Sequence, residues 1–218
     1  MEFSHYSVML EECISGLAIR PDGIYVDGTA GGAGHSCQIA KRLTEGKLFA
    51  LDKDPDAVSI AEQRLAPYAQ ATVIQADFKD LCCTLKERGI TGVDGILLDL
   101  GVSSYQLDTA ERGFSYHQDA PLDMRMSKTG PSARDLVNTY SVEDLSRIIR
   151  EFGEEKYAWS IAKNIEKARA KAPILTTGQL AEIIRESMPY SARREKNPAK
   201  KTFQAIRIAV NGELDALS

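Results

Sequence analysis

The sequence predicts an α/β fold: a mainly parallel, Rossmann-like sheet with an inserted, mostly helical domain. Three observations predict it. Short apolar runs alternate with helical periodicity through the first hundred residues. A glycine-rich turn directly follows the first of these runs. Beyond Asp99 the strand-like runs stop and helical periodicity takes over.

The elements follow in order. Gly23 to Asp27 reads as a first strand ending at the glycine-rich turn, and Ser36 to Leu43 as a helix. Lys47 to Asp52 is a second strand; Asp54-Pro55 opens a helix over Asp56 to Leu65. Ala71 to Ala76 is a third strand, Phe78 to Glu87 a helix, and Val93 to Asp99 a fourth strand. Continuous apolar strands separated by helices belong to a parallel sheet covered on both faces.

Gly101 to Gly130 is polar, rich in turn formers and nearly aperiodic; a loop of that length in a compact domain usually serves function. Ala133 to Arg169 is helical, with Ser141-Val142-Glu143-Asp144 as a helix start. Thr177 to Ser187 and Lys200 to Leu217 complete the helices. The expected domains are a core over 1–105, a helical substrate-recognition insertion over 106–200, and a helix over 201–218 returning to the core.

Composition narrows the function classes. Apolar residues make up 43% and charged residues 27%, as in ordinary globular proteins. No apolar run approaches the roughly 18 residues of a membrane span, and Met1 to His5 lacks signal-peptide character, so a soluble cytoplasmic protein is expected. Cys13, Cys37, Cys82 and Cys83 form no CxxC pair, and there are three histidines, His5, His35 and His117. That suggests neither a zinc site nor a disulfide framework, and buried or partly buried free thiols are expected. The net charge of −4 is uneven: 15 Lys+Arg face 22 Asp+Glu over residues 1–150, and 12 face 9 over residues 151–218.

The cofactor signal is Asp27-Gly28-Thr29-Ala30-Gly31-Gly32-Ala33-Gly34-His35, between a strand and a helix. Glycines there allow a tight turn and close approach of a ligand. A dinucleotide fingerprint fails, because Cys37 takes the third glycine position after Gly32 and Gly34. A phosphate-binding P-loop fails too, for want of Gly-Lys-Ser/Thr. Asp27 at the strand tip would repel a pyrophosphate but attract the ammonium and sulfonium of S-adenosyl-L-methionine (SAM). Asp52, ending the second strand, can accept two ribose hydroxyls. At Asp77-Phe78 a carboxylate or backbone group can take an adenine amine while Phe78 flanks the ring. Each such Asp, taken alone, is more often a cap or turn residue, and Asp54 is read that way.

The fourth strand runs into Asp99-Leu100-Gly101-Val102-Ser103-Ser104-Tyr105-Gln106-Leu107-Asp108, then Arg112-Gly113-Phe114-Ser115 and Pro121-Leu122-Asp123-Met124-Arg125-Met126. From Asp94 to Met126 this resembles the RsmH (MraW) family of bacterial 16S rRNA methyltransferases. Ser7-Val8-Met9-Leu10 with Glu12, the Asp27 to Ser36 loop, Thr202 to Ile208 and Val210 to Leu214 resemble it as well, so the likeness runs along the whole chain in order. It implies a class I SAM-dependent methyltransferase acting on N4 of a cytidine in the decoding centre of 16S rRNA, near the P site of the small ribosomal subunit. It also implies SAM contacts at Ala33, Gly34, His35, Asp52, Phe78, Asp99 and Gln106. Reasoning from the residues reaches Gly34, Asp52 and Phe78 unaided, but not His35 or Gln106.

The implied chemistry is direct methyl transfer from an activated sulfonium, which needs no metal. A cytosine amine is a weak nucleophile, and an acceptor beside it can localise its lone pair and take a proton. Asp99, at the fourth strand tip, is placed for that role or for holding the cofactor. The target base must be unpaired or flipped. The basic segment Arg193 to Lys201 could bind phosphate or be a solvated loop; Tyr105, Phe114 and Tyr116 could stack on a base or form a small core.

Two departures from the family pattern matter. Ala33 stands where relatives carry glycine, a mild change if its φ is negative. The chain ends at Ser218 with four readable strands where the resemblance implies seven, which is read as a truncated chain with an uncovered apolar edge at the fourth strand. The rival readings are a non-catalytic RNA-binding fragment of the same family, an NAD-dependent oxidoreductase, and a DNA or small-molecule methyltransferase.

Overall fold

The computed structural model describes residues 7–193 and 197–217. The chain divides into two compact units, Met1–Ser104 and Tyr105–Ser218.

In the first unit, α1 (Leu10–Gly16) precedes β1 (Ile24–Asp27), α2 (Gly34–Ala40), β2 (Lys47–Asp52), α3 (Pro55–Leu65), β3 (Ala71–Gln75), a 3₁₀ turn at Phe78–Asp80, α4 (Leu81–Lys86) and β4 (Gly95–Leu97). The four strands form one parallel sheet in the order β3-β2-β1-β4. Side chains alternate between faces along a strand, so each strand feeds two cores. Tyr25, Leu48 and Ala50 pack with Ile39, Ala40, Leu43, Ala61 and Leu65 of the α2 and α3 region. Val26, Phe49, Leu51 and Ile74 pack on the other face with Leu85 of α4. This two-sided burial is why the central strands β1 and β2 read as unbroken apolar runs.

Local chemistry sets the boundaries. Asp54 caps α3 by accepting the Asp56 amide at 3.0 Å, with Pro55 in the first turn, as its sequence position predicts. The fourth strand is shorter than expected: only Gly95 to Leu97 pair, and among the described residues β4 pairs with β1 alone. Ile96, Leu98 and Leu100 are exposed along this apolar edge. Cys82 and Cys83 correct another expectation. Both are exposed free thiols, because α4 buries only the face that carries Leu85.

The second unit holds α5 (Ser104–Asp108, which begins at the boundary), α6 (Ala133–Thr139), α7 (Val142–Gly153), α8 (Ala158–Arg169), α9 (Thr177–Glu186), α10 (Tyr190–Arg193) and α11 (Lys200–Asn211). Ser132 with Asp135, and Thr176 with Gln179, form reciprocal capping boxes that start α6 and α9. Ser141 caps α7 as expected. The last helix is shorter than predicted, because Gly212 takes a left-handed φ of 58° and terminates it. The sequence places that helix back on the α/β core. In the structure α11 packs on α7 and α6 within the second unit, burying Phe203, Ala205 and Ile206.

The long loop is ordered by hydrogen bonds rather than by regular structure. The Leu122 amide donates to the Leu175 carbonyl, and the Ala120 amide to Thr177 Oγ1. The buried Arg112 guanidinium donates to the carbonyls of Arg125 and Met126, while Asn211 brackets Met124 and Met126.

Candidate cofactor site

The carboxyl ends of the four strands converge on the turn after β1. In the order β3-β2-β1-β4, successive crossovers leave β1 in opposite directions, which opens a crevice at the carboxyl ends of β1 and β4. The chain fills the rim of that crevice with Gly28 to Ala33. Its backbone is pinned on both sides: the Gly28 amide donates to the Leu97 carbonyl at 2.9 Å, and the Ala30 amide to the Leu51 carbonyl at 2.8 Å. Gly31 and Ala33 both sit in the left-handed region, at φ 49° and 58°. For Ala33 the condition under which replacing glycine would be mild, a negative φ, is not met. A buried alanine occupies a conformation that favours glycine, at a cost of about 1 kcal/mol.

Asp27 lies at the strand tip as predicted, but its carboxylate is almost wholly buried and turned into the loop. It accepts the Ser36 hydroxyl at 2.6 Å and the Thr29 amide at 3.2 Å. Burial pushes its pKa up, against those two hydrogen bonds and the positive potential of His35. Asp27 thus couples β1, the turn and α2. An Asp followed two residues later by the amide it accepts is a sequence-legible turn; the part played by Ser36 is not.

Asp52 is brought to the same turn. Its Oδ2 accepts the Gly31 amide at 2.8 Å and its Oδ1 the Asp54 amide at 2.9 Å. Each carboxylate oxygen has a second acceptor direction beyond those bonds. Burial pushes the carboxyl up to about 6, opposed by the same two amides.

Asp77 and Phe78 follow β3. The Asp77 carboxylate caps the 3₁₀ turn through the Lys79 amide at 3.2 Å and pairs with Lys53 at 3.4 Å. Phe78 lies against Gly28: a Cβ on that glycine would stand 3.2 Å from Phe78 Cβ and collide with Leu98. A side chain there would have to displace the exposed Leu98 and crowd Phe78. Asp99 is exposed just beyond β4, and its amide donates to Thr29 Oγ1 at 2.7 Å. Thr29, which sequence reasoning overlooked, ties the first strand's turn to the end of the fourth.

Gly34 and His35 open α2. A Cβ on Gly34 would collide with Ser7 Oγ, and the buried His35 ring pairs through Nε2 with the Val8 carbonyl at 3.1 Å. Both residues hold the segment ahead of α1 against the turn. Arg64, also missed, donates to the Gly32 carbonyl. Asp52, Phe78, Asp99 and the turn thus share one edge of the first unit. Gln106 belongs to the second unit, buried on α5.

Elsewhere, Phe114 is buried beneath the Arg112 guanidinium, and Tyr116 packs edge-on to Phe203, which favours the small-core reading of these aromatics. The basic segment crosses residues 194–196, outside the described residues. Arg193 folds back on the Met188 and Glu186 carbonyls. Among the described residues no group of three or more His, Cys, Asp or Glu could hold a metal ion, and no helix is long and apolar enough to cross a membrane.

A family model described as the MraW methylase family matches residues 2–218. The chain belongs to the MraW methylase family. This MraW methylase chain is 55% identical to the ribosomal RNA small subunit methyltransferase H 2 of Agathobacter rectalis, over 100% of the chain and 71% of that protein. It is 53% identical to the ribosomal RNA small subunit methyltransferase H of Brevibacillus brevis, over 99% of the chain and 70% of the relative. With the protein of the same name from Ruminiclostridium cellulolyticum the identity is 56%, over 100% and 72%. This member of the family therefore spans 70 to 72% of the length of these relatives.

Proposed function

We propose that this chain transfers a methyl group from SAM to the N4 amine of a cytidine in 16S rRNA of the small ribosomal subunit, within the decoding centre near the P site, in the cytoplasm. The observation that carries this reading is the β1 turn, held between Asp52 and Asp99 at the sheet's crevice and packed through Gly28 on Phe78, in a member of the MraW methylase family.

The residues present fit the cofactor. Ribose hydroxyls can donate to the outward acceptor directions of Asp52, and Phe78 with Leu98 offers apolar surface for an adenine. Asp27, Asp52 and Asp99 give the edge a negative potential suited to a cation. Ala33, Gly34 and His35 shape the turn, and Gln106 is proposed as a further contact. When bound, SAM supplies a methyl group already activated on a sulfonium. Asp99 would accept a hydrogen bond from the cytosine amine, raise its nucleophilicity and receive the proton it sheds. Holding amine and methyl group in line contributes more than the proton transfer.

Calorimetric titration with SAM tests the site, with NAD as the control ligand. Saturable SAM binding that Asp52→Ala weakens at least about tenfold is expected, since one lost charge-assisted pair is worth about 1.5–3 kcal/mol. Binding of NAD with exclusion of SAM would overturn the reading. Methyl transfer to unmethylated small subunits then tests the acceptor, and full turnover by Asp99→Asn would remove Asp99 as proton acceptor.

A further inference from the structure

The chain's single tryptophan lies on the surface. Trp159 is 52% exposed on α8, whose opposite face buries Ala158, Ile161, Ala162 and Ile165. A singly exposed apolar side chain is ordinary on a protein surface, and what distinguishes this one is the chemistry around it. Its neighbours on that face are cations. Four-residue spacing on α8 lines up Trp159, Lys163 and Lys167, while Lys156 lies just before the helix and Lys171 just after it. The four lysines are exposed. The Lys163 ammonium stands 5.5 Å over the Trp159 ring, and Lys156 stands 5.0 Å over the half-buried Tyr157.

Along this stretch of chain cations outnumber anions. From Lys156 to Lys171 there are five cations and one anion, Glu166. Glu166 pairs with Lys163 at 3.4 Å, with both side chains about half exposed, so the pair is weak and readily exchanged. Arg169 is already committed to the Val137 and Tyr140 carbonyls at the end of α6. The stripe stands out against a chain of net charge −4. A nucleotide needs a π-surface for its base and a cation for its phosphate, and α8 sets the two side by side, with further lysines along the helix for neighbouring phosphates.

We infer that the Lys156–Trp159–Lys163–Lys167–Lys171 stripe is a docking surface for an unpaired RNA segment, with one base stacked on Trp159 and the lysines along its phosphates. This rests on the reading that the acceptor is RNA. It concerns the grip on the substrate and no residue of the cofactor site.

The test uses the whole chain and a fluorescein-labelled, unstructured 12-nucleotide RNA. Because Trp159 is the sole tryptophan, quenching of its emission reports stacking directly. Saturable quenching is expected, with an affinity weakened about tenfold in Trp159→Ala and much less in Trp159→Phe, by labelled-RNA anisotropy. The pair Lys163→Gln with Lys167→Gln should flatten the log–log salt dependence by about 1.4. All these positions are exposed, so each variant should keep the wild-type thermal midpoint and SAM affinity. RNA binding without quenching, or unchanged affinity in Trp159→Ala, overturns the inference. Equal quenching by a polyglutamate peptide also overturns it, and marks the stripe as a dock for an acidic protein. If RNA binding tracks Trp159 while SAM fails to bind, the surface stands and the methyltransferase reading falls.

Discussion

The Asp52 carboxylate accepts the Gly31 amide at 2.8 Å, across the gap between β2 and the turn that follows β1. The residue proposed to take the ribose hydroxyls therefore also sets the shape of the loop beside them. Binding and loop geometry are consequently linked, and substitutions at Asp52 should affect both.

That linkage has a pH dependence. The Asp52 carboxyl is raised from 3.8 to about 6 in the folded chain, so ionising it costs more there than in the unfolded chain. The penalty is absent below about pH 4, develops as the pH rises towards 6, and is complete above it, on the order of 3 kcal/mol. Urea titrations at pH 4.5 and 7 should show this loss of stability with rising pH, and Asp52→Ala should show a smaller one. Cofactor affinity should move the opposite way. It should weaken below pH 6, where the protonated acid no longer accepts both hydroxyls. Equal SAM affinity at pH 5 and 7 would rule out the ribose role.

Ala33 offers a gain. Its φ of 58° favours glycine, so Ala33→Gly should stabilise the chain by about 1 kcal/mol in urea denaturation. Cofactor affinity should be kept, since the turn's shape is unchanged. A clear destabilisation would show that the alanine methyl, fully buried, contributes more than the backbone strain costs.

Gly28 tests the packing at the crevice. Gly28→Ala places a methyl against Phe78 and Leu98 at the crevice. SAM affinity should fall at least about tenfold, equivalent to 1.4 kcal/mol, while the far-ultraviolet spectrum stays that of the wild type. Retained affinity would separate Phe78 from the adenine.

Asn211 tests the second unit alone. Its side chain accepts the Met126 amide at 2.8 Å and donates to the Met124 carbonyl at 2.7 Å, holding the fully buried Met124 at φ 62°. Asn211→Ala should cost about 1–3 kcal/mol, because it strands buried backbone groups. An unchanged urea midpoint would mean that Arg112 suffices to hold the segment.

Much of this protein was legible from order and spacing along the chain. The apolar run over Lys47 to Asp52 falls where a strand forms because both of its faces are buried, and the edge strand Ala71 to Gln75 was legible from its β-branched residues. Asp54, Ser141 and the glycine-rich turn were readable because capping and turn chemistry act within a few residues. The motifs from Asp94 to Met126 carried the family, and with it the expected chemistry. What tertiary structure alone decided are relationships between residues distant in sequence. Thr29 meets Asp99, Asp27 turns inward to Ser36, and Gly28 lies close against Leu98 and Phe78. The sign of φ at Ala33, the end of α11 at Gly212 and the exposure of Trp159 belong with these. Local propensity acts over one turn of chain, whereas burial and register depend on which elements the folded topology sets side by side.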